Sequence, residues 1–269
     1  MKNLIWIVFL MSSLGATAQG PPILVEKPIM LGQNRSELRV FYRNETRPNS
    51  KKYQSANVSY DIVGNQFWSI GVAGSYYLNS YINTYDRAND KVEPYDGFGD
   101  MAINLKYQFL RKDYVGKTYR MLGKIKQTFP TGEYKNDPFI GNNEYETAIS
   151  IVGGYESLKY GILHELGYNY SPTKEGRYLK FDLGFGLPLL KSKVPIRQIN
   201  LYFEYQSKYH PYDEGPTHFD NFEAYYAQSI QFAAGVFTFE ATYLWPLYRV
   251  HDGHFSKKEM FQIGSRMIL

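Results

Sequence analysis

The sequence predicts an all-β protein: a transmembrane, antiparallel up-and-down β-barrel of about 12 strands, of bacterial outer-membrane type. Three observations lead there. Segment after segment alternates apolar and polar residues with a period of two, the pattern of a strand whose two faces meet different surroundings. The polar faces carry charge well inside the strands, which suits a watery or salt-bridged lumen better than a soluble sandwich. The chain of 269 residues holds 26 Tyr, 17 Phe and 23 Gly, 17% of it aromatic, as barrels with aromatic girdles do.

Other classes fall away on composition. Mean hydropathy is −0.43, and no internal run reaches the ~18 apolar residues of a helical membrane span. A formal net charge of +4 with scattered Lys and Arg gives no nucleic-acid footprint. Zero cysteines exclude disulfides and thiol chemistry. No cofactor is expected.

Taken in order, residues 1–18 read as a secretory signal peptide: Lys2, an apolar stretch from Leu4 to Leu14, then small residues up to Ala18. Residues 19–35, rich in Pro and Gly, are expected to form a periplasmic leader without fixed structure of its own, and residues 36–269 the barrel. The first strand presents Leu38, Val40 and Tyr42 to lipid, the second Ala56, Val58, Tyr60 and Ile62. A tight turn at Gly64-Asn65 leads to Trp68, Ile70, Val72, Tyr76 and Leu78. The fourth strand carries Met101, Ile103, Leu105, Tyr107 and Phe109 on one face, and the fifth Tyr119, Met121, Gly123, Ile125 and Phe129. The sixth (Ile149, Ile151, Tyr155), seventh (Ile162, Leu166, Tyr168), eighth (Leu179 to Leu187), ninth (Ile199 to Tyr205), tenth (Tyr226 to Phe232), eleventh (Phe237 to Trp245) and twelfth (Phe261 to Leu269) repeat the pattern.

Connections alternate between short links near 64, 112, 157, 192 and 235 and longer loops near 47, 87, 137, 174, 215 and 252, which puts both termini and the short turns in the periplasm. Leu269, on the lipid phase, stands where barrel-assembly machinery usually reads a terminal Phe. That machinery and outer-membrane lipid are the expected partners, and the barrel is expected to be a monomer. His164 shares a phase with Ile162 and Leu166, which suggests a bulge or a rim position.

The stretch from Gly97 to Tyr134 is the most distinctive. Gly97-Phe98-Gly99-Asp100 opens a two-faced strand, Phe129-Pro130-Thr131-Gly132-Glu133-Tyr134 closes the next, and Glu165-Leu166-Gly167-Tyr168-Asn169-Tyr170 follows. Over roughly residues 95–210 this resembles the outer-membrane transporter family first described from phenol-degradation clusters. The resemblance implies a channel for small, hydrophobic or aromatic molecules. Gly97, Gly99 and Gly132 suit sharp turns at the rim, Pro130 ends a strand, Thr131 continues the motif, and Asp100 suits a cap or a lumen cation.

The phase assignment turns Lys106, Arg120, Lys124, Lys126, Lys180, Asp182, Glu204, Glu240 and Arg266 into the lumen, either as a salt-bridged ladder or as a selectivity lining with a basic excess at Arg120, Lys124 and Lys126. Of the five histidines, His210, His218, His251 and His254 fall on two external loops beside Asp and Glu, an arrangement that suits a divalent metal without matching a strong motif. His254-Phe255-Ser256 has the spacing of a lipid-hydrolase pair but not the lipid-facing phase, so no catalytic residue is expected. A closed-lumen barrel with a structural or surface-binding role is the alternative to a channel.

Overall fold

A computed structural model of the chain describes residues 24–26, 35–46, 52–81, 95–133, 141, 143–173, 176–191, 198–211, 222–248 and 259–269. The expected signal peptide, residues 1–18, lies outside the described residues. Strands β1 (Ser36–Thr46), β2 (Lys52–Val63), β3 (Trp68–Tyr81), β4 (Tyr95–Phe98), β5 (Met101–Tyr114), β6 (Lys117–Phe129), β7 (Glu146–Ser157), β8 (Gly161–Tyr170), β9 (Tyr178–Lys191), β10 (Gln198–Tyr209), β11 (Phe222–Ala234), β12 (Phe237–Tyr248) and β13 (Glu259–Ile268) form one antiparallel sheet. The pairing of β2 with β3 and of β1 with β13 closes it into a ring with no free edge, as a hydrocarbon surround demands.

The ring has 12 spanning strands because β4 and β5 are one strand interrupted. Both pair with β3: Phe98 opposite Tyr76 and Ala102 opposite Ala73. Between those pairs the β4–β5 side carries one residue more than β3, so the ladder bulges at Gly99–Asp100, with the Gly99 amide still donating to Ser75 O of β3.

Burial is inverted relative to a soluble protein. On the outward phase Ile103, Leu183 and Phe239 are 40%, 40% and 52% exposed, whereas Asp182, Glu204 and Glu240 on the inward phase are 0%, 0% and 2% exposed. Apolar side chains outside and carboxylates inside are stable only if the outside is lipid. This is a transmembrane β-barrel of the outer-membrane type.

His164 departs from expectation. β8 runs in unbroken register against both β7 and β9, so no bulge is present. The ring is accommodated by its cross-strand partner: Gly153 lies opposite, and a Cβ there would overlap the imidazole. The histidine therefore lies flat on the outer face over a glycine notch.

Candidate functional site

Strand phase places Glu204, Tyr225, Ala227, Ser229, Thr242, Leu244 and Met260 on the inner wall formed by β10–β13. Tyr225, Ala227, Leu244 and Met260 pack into an apolar cluster with exposures of 0–3%. Beneath it Glu204 accepts a hydrogen bond from Ser229 Oγ (2.6 Å), and Ser229 accepts one from Thr242 Oγ1 (2.9 Å). Half the ring away, β5 and β6 present Lys106 and Lys124.

Residues 24–26 of the leader join these two walls. Leu24 packs against the apolar cluster, and the amides of Leu24 and Val25 donate to Glu204 Oε2 at 2.8 and 2.7 Å. Val25 is 2% exposed. The Glu26 carboxylate then lies 3.2 Å from Lys106 Nζ and 3.2 Å from Lys124 Nζ. Burial by itself would raise the Glu26 carboxyl, but the two ammonium groups outweigh it and hold it well below the usual carboxylate range. At these three residues the expected periplasmic leader is inside the barrel, because Glu204 and the lysine pair together satisfy its amides and its charge. Glu204, Lys106 and Lys124 were read as lumen lining and Tyr225, Ala227, Leu244 and Met260 were assigned no role, so the sequence did not show the seat.

From the Glu26 clamp a chain of ion pairs runs around the charged wall. Lys106 lies 3.6 Å from Asp61, Lys124 2.9 Å from Glu165, and Lys180 2.9 Å from Glu165 and 2.7 Å from Asp182. Gly71 makes room for Asp61, since any Cβ at that position would overlap its carboxylate. Nearer the starts of β1 and β12 and the end of β13 a second network is drier. Glu240 accepts from Arg39 (2.6 Å) and Arg266 (3.0 Å), and Arg266 also meets Glu37 (3.2 Å), with the Glu240 side chain at 0% exposure. Beside it Tyr202, 1% exposed, stretches over Gly186, whose missing Cβ leaves space for the ring. Leu122, Val152 and Leu163, at 0–1%, fill the same half of the lumen from β6–β8.

The three residues expected as one basic cluster have separate situations. Arg120 Nη2 pairs with Asp113 (2.9 Å) within its own hairpin, Lys124 belongs to the leader clamp, and Lys126 is exposed. In the Gly97–Gly132 motif, Asp100 Oδ1 accepts from the Gly132 amide (2.9 Å), Thr131 Oγ1 accepts from the Met101 amide (2.9 Å), and the Glu133 amide donates to Phe98 O (2.9 Å). Gly99 donates to Ser75 O (2.9 Å) and Gly97 pairs with Tyr77. A Cβ at Gly132 would overlap the Gly99–Asp100 backbone. Together with Pro130, these residues tie the β4–β5 bulge to the end of β6. In these contacts Asp100 acts as a cap for the rim.

Of the four loop histidines, His218, His251 and His254 lie outside the described residues, as does Ser256. His210 is 8% exposed, with Nε2 3.2 Å from Glu223 Oε1 and its ring 5.6 Å from that of Tyr178. No group of three or more metal-ligating side chains occurs among the described residues.

Closed sheet and inverted burial together define a transmembrane β-barrel of the outer-membrane type. No protein-family model matches the chain, and no curated protein matches it. Among solved structures, an outer-membrane channel from Pseudomonas putida F1 superposes with a TM-score of 0.65 at 9% identity, covering 92% of this chain and 100% of that one. The KdgM porin, in complex with disordered oligogalacturonate, superposes with a TM-score of 0.52 at 6% identity over 85% of this chain and 98% of that one. These likenesses establish the fold, a barrel of the outer-membrane channel and porin kind.

Proposed function

We propose that the protein is an outer-membrane channel for small hydrophobic or aromatic molecules, kept shut by its own leader. The observation that carries this reading is the apolar wall of Tyr225, Ala227, Leu244 and Met260 inside the lumen. A barrel that passes only ions and sugars needs no such surface, since lumen faces of aqueous pores are polar. A solute with an apolar body would gain about 25 cal/mol for each Å² of apolar area that it removes from water there.

The rival reading, a closed barrel with a structural or surface-binding role, draws on Tyr202, Leu122, Val152 and Leu163, which leave no solvent beside them. Uptake of a small aromatic tracer into proteoliposomes, for the full chain and for a variant lacking residues 19–27, separates the two. Faster tracer uptake in the truncated barrel is the expected outcome. If both barrels stay impermeable to tracer and ions, the closed-barrel reading stands.

A further inference from the structure

The seat of Leu24–Glu26 is a specific chemical mould, and its parts are more selective than a hydrophobic pore requires. One end is aliphatic and aromatic, with Leu24 lying on Tyr225, Ala227, Leu244 and Met260. The other end is a pair of ammonium groups placed symmetrically on one carboxylate, each at 3.2 Å. Between them stands Glu204, whose Oε2 receives two amide hydrogens. A purely apolar solute would leave Lys106 and Lys124 with charge that Glu26 now shares. A cation would meet both lysines directly.

We propose that this seat is a binding site for amphipathic carboxylic acids, in which Leu24–Glu26 acts as an internal mimic of the ligand. The ligand's apolar tail lies on the β11–β13 wall and its carboxylate takes the place of Glu26 between Lys106 and Lys124. Glu204 fixes the direction, because a carboxylate held near it would be repelled, while it keeps the Ser229 hydrogen bond and needs water in place of the two leader amides when an apolar chain passes. Ligand and leader therefore exclude each other, and loading the site from outside frees the leader. The inference rests on the channel reading only for the route by which the acid arrives; binding itself is independent of transport.

The absence of cysteine from the chain gives a direct readout. Val25→Cys, at a residue now 2% exposed, places a unique thiol on the docked leader of the full-length protein in lipid nanodiscs. The rate of its modification by a hydrophilic maleimide is measured with octanoate, octanol and octylamine. Octanoate is expected to accelerate labelling at least tenfold, while octanol and octylamine leave it within twofold. In the same background, Lys106→Gln with Lys124→Gln is expected to raise the basal labelling rate and remove the octanoate response. Calorimetry supplies a second measure: Glu26→Gln, which weakens the competitor and leaves both lysines in place, is expected to bind octanoate about tenfold more tightly than the wild type.

Equal responses to octanoate and octanol would overturn the carboxylate assignment. Unchanged octanoate affinity in Glu26→Gln would overturn the mimicry. Tracer uptake with no octanoate binding would leave the channel standing and end this inference, whereas octanoate binding without any uptake would do the reverse.

Discussion

The barrel contains two charge networks of similar composition and different character. Around Glu240 the partners found among the described contacts sit on strands: Arg39 on β1 and Arg266 on β13, with Glu37 of β1 on Arg266 in turn. Around Lys106 and Lys124, one carboxylate is contributed by Glu26, which precedes β1 and is not part of the sheet. The strand-borne contacts of the first network break only when strands separate; the second loses a carboxylate when a three-residue segment moves. The lumen thus combines a dry, permanent half with a wetter half in which one charge is removable.

The largest effect should come from the permanent half. Glu240→Ala leaves Arg39 and Arg266 facing each other with one carboxylate fewer, and Arg266 is 3% exposed. Removing one partner of a buried ion pair costs about 3–5 kcal/mol, and Glu37, still on Arg266, places the expectation toward the lower end of that range. Glu165→Ala removes an equally buried carboxylate, yet its lysines keep Glu26 and Asp182 and reach solvent, with exposures of 14% and 27%. A smaller cost, about 1–3 kcal/mol, is expected there. Urea titration of the barrel folded into lipid vesicles measures both, and equal losses would erase the distinction between the networks.

Next in size is the contrast between the outer and inner faces. Ile103→Arg places a charge in lipid and should cost about 2–4 kcal/mol near the midplane, whereas Arg at the neighbouring lumen position Asn104 should cost much less. The same titrations check it. Similar costs at the two positions would mean that the strand phase is reversed or that the outer surface is not lipid-facing.

The sheet was legible because lipid imposes a strict period of two. Ile103, Leu183, Phe203 and Phe239 could be assigned outward from alternation alone, and loop lengths gave the strand count. The lumen was less legible because it obeys no such rule. Leu122, Val152, Leu163, Leu244 and Met260 share a phase with charged residues, and only three-dimensional contact shows which of them gather. The seat of the leader combines residues more than a hundred positions apart with a Leu-Val-Glu segment that has no periodicity, so neither half announced the other. Arg120, Lys124 and Lys126 share a face, but spacing along a strand does not say which carboxylate lies across the gap. The bulge at Gly99–Asp100 was foreshadowed by its glycines; its anchoring to Gly132 depends on a hydrogen bond between distant segments.

A smaller effect on stability, and a larger one on permeation, is expected at the removable charge. Glu26→Gln should change the unfolding free energy of the barrel by no more than about 1 kcal/mol, since a partly exposed pair contributes little to the sheet, while raising the open probability in planar bilayers. The pH dependence follows from the sign. Docking holds the Glu26 carboxyl below its free value of about 4.5, so its contribution is fully present above that pH. The contribution declines as the pH falls toward the docked value. Wild-type conductance should therefore be flat from neutral pH to about 4.5 and rise only in stronger acid, through a step that Glu26→Gln lacks. An identical acid response in both proteins would assign the opening to another group.

The smallest stability effects belong to the three basic residues of β6, and ion selectivity distinguishes them where stability does not. Arg120 is committed to Asp113 inside its own hairpin, so Arg120→Gln should leave the reversal potential of a leader-truncated barrel in a salt gradient nearly unchanged. Lys124 loses Glu26 in that barrel but retains Glu165 at 2.9 Å, which offsets most of its field. Lys126 is exposed, so Lys126→Gln should shift the preference furthest from anions toward cations, the field of a charge in a narrow lumen being what an ion meets. Each substitution should alter the unfolding free energy by about 1 kcal/mol or less. Equal shifts from all three would mean that they act as one lining after all, and the separate contacts of Arg120 and Lys124 would then have no bearing on permeation.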